Sequence, residues 1–104
     1  MARSSEVAES AAVVLHAADD VATALRDLAA GEVVELWIGK RAVRLTLAEA
    51  IPLCHKFALH ALNRGQEVRK YGEVIGRASA AVAPGAWVHV HNLESLRARR
   101  TGAA

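Results

Sequence analysis

Apolar and polar residues alternate along this chain in short runs, and most runs have the two-residue period of a β-strand. Residues 32–38 are rich in β-branched and aromatic side chains, and residues 41–47 alternate in the same way. Gly39-Lys40 between them has the composition of a turn, so the pattern predicts a β-hairpin. Residues 11–15 predict an earlier short strand, and residues 67–70 predict a later extended segment.

A helical spacing of apolar residues occurs in one place. Val21, Ala24, Leu25 and Leu28 recur at intervals of three and four, and Asp19 before them is a favourable N-cap residue. The spacing predicts a short helix over residues 20–29. Residues 53–62 are compatible with either a helix or a strand, and residues 79–83 with either a helical turn or a loop. We find no internal repeat.

The segment Gly-Ala-Trp-Val-His-Val-His-Asn, residues 85–92, carries the most chemistry. Alternation from Val88 to Asn92 predicts a half-exposed strand, on which His89 and His91 point the same way, roughly 7 Å apart at the α-carbons. Pro84-Gly85 fits the central positions of a type II turn. Imidazole titrates near neutral pH and is the commonest protein metal ligand. Two surface histidines without a function are the alternative interpretation.

Composition narrows the class of protein. The 104 residues suffice for one domain, with a flexible N-terminus at 1–10, a folded domain at 11–93 and a polar basic tail at 94–104. The net charge of +2 is small, and no aromatic residues interleave with basic ones, so we expect no nucleic-acid partner. Cys54 is the only cysteine, which excludes an internal disulfide. Without a signal sequence or an apolar run long enough to span a bilayer, we expect a cytoplasmic protein.

Four ordered segments point to a family. They are His-Ala-Ala-Asp-Asp-Val-Ala at 16–22, Ile-Pro-Leu-Cys-His-Lys-Phe-Ala-Leu at 51–59, Lys-Tyr-Gly-Glu-Val-Ile-Gly-Arg-Ala at 70–78, and the histidine segment at 85–92. Together they resemble the N-terminal domain of the altronate and galactarate dehydratase family, which also occurs as the small subunit of sulfolactate sulfo-lyase. The resemblance covers roughly residues 12–93. Two departures are Cys54, where the family usually has glycine, and Ala17 and Asp20, where it usually has proline and asparagine. We expect Cys54 to be a small buried thiol.

The resemblance implies a fold and an activity. The fold is mostly β (α+β), an SAF-type β-clip with short helices. The activity is β-elimination of water or sulfite from a small hydroxy acid, aided by a divalent metal, with Fe²⁺ the first expectation. A much larger domain or subunit holds most of the catalytic apparatus in the family. We therefore expect the small subunit of a two-chain lyase, inactive alone, with the metal held mainly by a large dehydratase-like subunit; a homo-oligomer is also compatible.

The resemblance also nominates site residues. The catalytic candidates are His89, His91 and His55, of which the first two are also the candidate metal ligands. The substrate-binding candidates are Lys56, His16, Asn92, Lys70 and Tyr71. His16 either binds substrate or caps the predicted helix, Tyr71 and Glu73 serve equally well to fix their loop, and Asp19 belongs to the same motifs. His60 lies outside the motifs and receives no role. The alternative function is a non-catalytic β-clip module that binds a sugar acid or a protein partner.

Overall fold

Short antiparallel β-strands joined by tight turns make up the computed structural model, which describes residues 11–96. The strands are β1 (Ala12–Val13), β2 (Val21–Ala24), β3 (Val33–Ile38), β4 (Arg41–Thr46), β5 (Lys56–Ala58), β6 (Glu67–Lys70), β7 (Glu73–Ala78), β8 (Trp87–Val88) and β9 (Leu93–Ser95). The mostly-β prediction is confirmed, but the short helices are wrong, because no helix forms between residues 11 and 95. Within the described residues, no helix has the length and apolarity to cross a bilayer.

The strands form three sheets around two apolar clusters. A central sheet has the order β1-β2-β5-β8, β3 pairs only with β4, and β6-β7-β9 form the third sheet. Phe57, fully buried on β5, belongs to the first cluster with Leu36, Leu47 and Ile51. The second cluster lies around Val68, with Ala58, Leu62 and Val88. β5 therefore contributes to both clusters, so its position depends on packing from both sides.

The predicted hairpin is confirmed. β3 and β4 pair from Val33 opposite Thr46 to Ile38 opposite Arg41, and Gly39-Lys40 forms the connection. Strand alternation buries Val34 and Leu36 and leaves Val33, Glu35 and Trp37 exposed. The extended segment 67–70 is confirmed as β6, and the first predicted strand is present but shorter, as β1.

The predicted helix over residues 20–29 is wrong. Val21–Ala24 form β2, which pairs with β1 on one side and β5 on the other, and Leu28 makes an isolated bridge with Ile51. Apolar residues at 21, 24 and 28 fit a helix and also fit a central strand followed by a buried bridge. Asp19 is not an N-cap, because its carboxylate accepts hydrogen bonds from the backbone N–H groups of Tyr71 and Gly72. Tertiary pairing has overridden the local helical pattern.

One type of turn recurs four times. In each turn the fourth residue's N–H donates to the first residue's carbonyl, over residues 29–32, 52–55, 63–66 and 83–86. The third residue has positive φ in every case, as type II turns require; these residues are Gly31, Cys54, Gly65 and Gly85. The prediction of a turn centred on Pro84-Gly85 is confirmed.

Each of these turns exchanges two hydrogen bonds with the buried end of another strand. Gly31 N–H donates to the carbonyl of Leu47 at 2.8 Å, and Leu47 N–H donates back to Glu32 at 2.9 Å. The same exchange joins turn 52–55 to Ala24, turn 63–66 to Ala78 and turn 83–86 to Ala58. Because buried backbone groups must be paired, this exchange satisfies the strand ends where the ladders stop.

The recurring turns reveal an internal repeat, so the expectation of none is wrong. Residues 24–34 and 58–68 align without a gap as Ala-Leu-x-x-Leu-x-x-Gly-x-x-Val. In both copies a strand is followed by a bridge residue, Leu28 or Leu62, then by the turn and a hairpin. The shared residues are common aliphatic and small types, so the match is weak in sequence. The equivalent hydrogen bonds establish it.

Cys54 occupies a position that glycine holds in the other three turns. Its φ is +73°, a left-handed conformation that costs a side-chain-bearing residue about 1–2 kcal/mol. The prediction of a buried thiol is wrong, because Cys54 is exposed. The conformation gives a physical reason for the glycine usual at this position in the resembling family.

We predict that Cys54→Gly raises the free energy of unfolding by about 1 kcal/mol, because glycine relieves the left-handed strain. The matched control is Gly65→Ala, at a turn position with φ +88° and nothing within 4 Å of an added Cβ. It should lower stability by about 1 kcal/mol through conformation alone. Urea unfolding followed by circular dichroism measures both. A Cys54→Gly variant less stable than the parent would show that the thiol makes a compensating contact.

Candidate functional site

An indole and three imidazoles meet at the ends of β5 and β8. The Trp87 ring lies 5.1 Å from His89 in a nearly parallel stack, 5.4 Å from His55 and 5.5 Å from His91, measured between centroids. His55 and His89 are 4.9 Å apart. We call these four residues the imidazole–indole cluster. It brings together all three histidines that the sequence nominated as catalytic.

The histidine segment reaches the cluster by a turn. The predicted strand over residues 88–92 is wrong beyond Val88, where β8 ends and a turn follows. The Asn92 side chain closes this turn, because its Oδ1 accepts the His89 N–H at 2.9 Å and its Nδ2 donates to the Trp87 carbonyl at 2.8 Å. The local hydrogen bonds of the asparagine thus compete with strand continuation. Asn92 is buried, and both its side-chain oxygen and its side-chain nitrogen make hydrogen bonds within the turn.

Trp87 is the residue that sequence reasoning missed. Its indole N–H donates to His55 Nδ1 at 3.1 Å, and its backbone N–H donates to a carboxylate oxygen of Glu49 at 3.0 Å. The signal was present, because in a chain with only 4% aromatic residues a tryptophan stands two positions before His89 in the same motif. A half-exposed ring at that spacing is suited to contact the neighbouring imidazoles.

A lysine pair lies beside this cluster. Burial, and then the nearby charge of Lys70, lower the pKa of Lys56 below its usual value. Lys70 lies with its ammonium 5.0 Å from the centre of the Tyr71 ring, a cation–π contact. Among the ion pairs formed by the described residues, none includes Lys56 or Lys70. Two ammonium groups without a carboxylate partner make this a positively charged locus.

Electrostatics connect the lysine pair to the imidazole–indole cluster. The pKa of His89 is lowered, first by burial and then by the charges of His55, Lys56 and His91. The register of β5 places Lys56 opposite Val88 and the next residue, Phe57, opposite Trp87, so Lys56 and the indole leave opposite faces of the sheet. Lys56 nevertheless lies near enough for its charge to favour the neutral form of His89.

His16 and Tyr71 form a third part of the site. Tyr71 and Gly72 both have positive φ and connect β6 to β7, as in a type I′ hairpin. Gly72 has no room for a side chain, because an added Cβ would lie 2.8 Å from the His16 ring. The His16 Nδ1 accepts the Ala18 N–H at 3.0 Å. His16 therefore caps a turn, and the helix it was predicted to cap is absent.

Other nominated or neighbouring residues lie elsewhere. His60 Nε2 meets Asp20 Oδ1 at 2.9 Å, and Asp20 Oδ2 accepts the Arg69 N–H at 2.8 Å. This bond ties the segment after β5 to the start of β2, away from the imidazole–indole cluster, and it is a structural role that the sequence did not reveal. Glu73 is exposed at the start of β7.

The donor groups near the cluster bear on the predicted metal. Among residues 11–96, no three histidine, cysteine, aspartate or glutamate side chains are arranged to hold a metal ion. In the imidazole–indole cluster, the Nδ1 of His55 already accepts the indole N–H and has no lone pair left for a metal. The two nominated ligands, His89 and His91, thus have no third protein donor arranged with them among the described residues, and metal binding by this pair stays a prediction.

Comparisons with known proteins agree with this assembly of motifs. Residues 10–96 match the model of the altronate/galactarate dehydratase SAF domain. The altronate dehydratase of Escherichia coli (strain K12) is 44% identical over 77% of this chain, which spans only 15% of that enzyme's length. The (2R)-sulfolactate sulfo-lyase subunit alpha of Chromohalobacter salexigens is 33% identical over 81% of this chain and 94% of the subunit. An altronate dehydratase of Bacillus subtilis (strain 168) is 32% identical, and the chain again spans a small part, 16%, of it.

We predict that Lys56→Met stabilises the protein at neutral pH and raises its Tm by a few degrees. The pKa of Lys56 is lower in the folded state than in the unfolded state. At low and neutral pH the lysine is charged, and its partly buried charge therefore lowers the free energy of unfolding. That cost disappears as pH rises through the folded value toward the unfolded one. The stability gain of the variant should therefore shrink in alkaline buffer.

Thermal unfolding at pH 7 and at an alkaline pH checks this difference. The matched control is Lys40→Met, at an exposed turn residue, which should change Tm little at either pH. A Lys56→Met protein that is less stable than the parent at neutral pH would contradict the prediction.

Proposed function

The chain belongs to the altronate/galactarate dehydratase SAF domain family, and we propose that it is the small subunit of a two-chain lyase acting on a hydroxy acid. Its partner in this proposal is a large dehydratase-like subunit, and the reaction is β-elimination of water or sulfite. The sulfo-lyase subunit alpha, of which this chain covers 94%, is named as one subunit of a lyase. That name supports a separate partner chain. The altronate dehydratases it matches are several times longer.

One observation carries the proposal: three imidazoles gather around one indole, and the charge of Lys56, which has no ion-pair partner among residues 11–96, acts on His89. A hydroxy acid is an anion, and ammonium groups attract its carboxylate. Elimination also requires removal of a weakly acidic α-proton and protonation of a leaving group, and imidazole is suited to both steps. A cationic locus next to proton carriers is the arrangement that such a substrate needs.

We assign roles to the residues on this basis. Lys56 and Lys70 bind the substrate carboxylate, and His16 and Tyr71 border that locus through the hairpin turn. His89, whose pKa is lowered, is neutral at pH 7 and able to accept a proton. His91 is exposed and closes the outer side of the imidazole–indole cluster. Asn92 holds His89 in place through its backbone.

The divalent metal that the family implies, Fe²⁺ foremost, belongs to the large subunit in this proposal. Residues 11–96 contain no group of three donor side chains arranged for a metal ion. The chain's own contribution is positive charge, hydrogen-bond donors and proton carriers. Interfaces between chains are common places for such shared pockets.

Reconstitution tests the proposal. The chain is co-expressed with a large dehydratase-like subunit, and the complex is assayed with altronate, galactarate and (2R)-sulfolactate, with and without added Fe²⁺. We expect the two chains to elute together and only the complex to turn over a hydroxy acid. Binding of an acid with no turnover in any complex would favour the binding-module alternative. A monomer that binds and converts none of these acids would refute both.

We predict that His89→Ala and His91→Ala each lower kcat of the complex by about 100-fold, the usual contribution of one acid or base. The folding of the chain should be nearly unchanged, because both residues lie at or near the surface. The control is His60→Ala, an exposed histidine outside the cluster, which should keep kcat within about twofold. Unchanged turnover in both cluster variants would remove these histidines from the mechanism.

A further inference from the structure

We infer that Trp87 is a positioning residue that fixes His55 in the tautomer with its proton on Nε2, so that His55 meets the substrate as a hydrogen-bond donor. The geometric part of this inference stands on the chain alone. Its catalytic meaning rests on the proposed function.

The direction of the Trp87–His55 hydrogen bond determines the tautomer. An indole N–H can only donate, so the His55 Nδ1 that it meets at 3.1 Å must accept through a lone pair. A neutral imidazole carries one proton, which is therefore on Nε2. The identity of this tautomer follows from the chemistry of the two groups and needs no assumption about the substrate.

Trp87 is itself held on several sides, so its indole is a fixed reference for His55. The backbone N–H donates to Glu49, and the backbone carbonyl accepts the Asn92 side-chain amide. The ring lies within 9° of parallel to His89, with centroids 5.1 Å apart. Rotation of the indole would break this stack along with the hydrogen bond to His55. The tautomer is thus supported by the ring stack with His89 and by the hydrogen bonds at the Trp87 backbone.

The fixed tautomer restricts what His55 can bind. Its remaining nitrogen, Nε2, carries a proton and matches an acceptor such as the carboxylate or hydroxyl oxygen of a hydroxy acid. A metal ion requires a lone pair instead. Offering that lone pair would move the proton to Nδ1, against the indole N–H. His55 is therefore suited to an oxyanion and unsuited to the metal.

Nuclear magnetic resonance on the uniformly ¹⁵N-labelled chain tests the geometric part directly. Long-range ¹H–¹⁵N correlations should show His55 as the Nε2–H tautomer in the parent and as a mixture in Trp87→Phe, which keeps an aromatic ring but removes the donor. The two indole N–H groups give an internal comparison, because Trp37 is 65% exposed. His55→Ala should speed hydrogen exchange at the Trp87 indole and leave Trp37 unchanged.

A parent spectrum with His55 protonated on Nδ1, or as a mixture, overturns the inference even if Trp87→Phe fails to fold. Exchange at the Trp87 indole that His55→Ala does not alter overturns it as well.

Glutamine substitution tests the donor role in the complex. Gln can accept the indole N–H with its Oε1 and donate with its Nε2, so His55→Gln should retain kcat within about 10-fold of the parent. His55→Ala, which provides neither group, should lose about 100-fold. Equal losses in the two variants would assign His55 to proton abstraction or metal binding and overturn the donor role. A parent complex with no turnover refutes the proposed function, while the spectra still decide the tautomer.

Discussion

This fold depends on one recurring interaction. A type II turn exchanges two backbone hydrogen bonds with the end of another strand. The described strands are two to six residues long, so many backbone groups lie beyond the ladders. Unpaired buried amides are costly, and a domain of this size has little apolar area to offset them. Four copies of the same exchange pair these groups at Leu47, Ala24, Ala78 and Ala58. The positive φ of the turns is the conformational requirement for that pairing.

The recurring turns also explain where the candidate site lies. Residues 54–57 and 85–88 occupy equivalent places after their turns, and the strands that follow, β5 and β8, pair with each other. The segments that follow these two turns are therefore neighbours in space. The segment 54–57 supplies His55 and Lys56, and the segment 85–88 supplies Trp87. The turn is the same in both, whereas the residues after it differ, so a symmetric backbone carries an asymmetric set of chemical groups.

Local rules predicted the parts of the fold that local interactions determine. The hairpin at 33–46 and the turn at Pro84-Gly85 depend on alternation and on the φ preferences of two residues, and both are present. The helix over 20–29 failed because its apolar spacing also suits a central strand, whose partners β1 and β5 lie far along the chain. The Asp19 carboxylate, predicted to cap that helix, accepts hydrogen bonds from amides about 50 residues away. No pattern within one segment contains that information.

The candidate site was likewise predictable in its residue types and not in its tertiary contacts. The residue types in the motifs nominated the three histidines, and the fold brings them together through different connections from those expected. The strand thought to align His89 and His91 is replaced by a turn that Asn92 closes. Trp87 remained unnominated because an aromatic residue in a motif ordinarily indicates packing. Its contacts to three imidazoles depend on the register between β5 and β8, which the sequence does not display.

The charge of the two lysines is compatible with the anionic substrate of the proposed function. Burial and then the charge of Lys70 lower the pKa of Lys56, and neither lysine has a carboxylate partner among residues 11–96. Holding two such charges together costs stability in the free domain, so packing alone gives no reason for them. A bound carboxylate would offset that repulsion and raise the pKa of Lys56. The same groups that strain the free domain would thus be stabilised only when the substrate is present, which couples binding to the electrostatics of the neighbouring imidazoles.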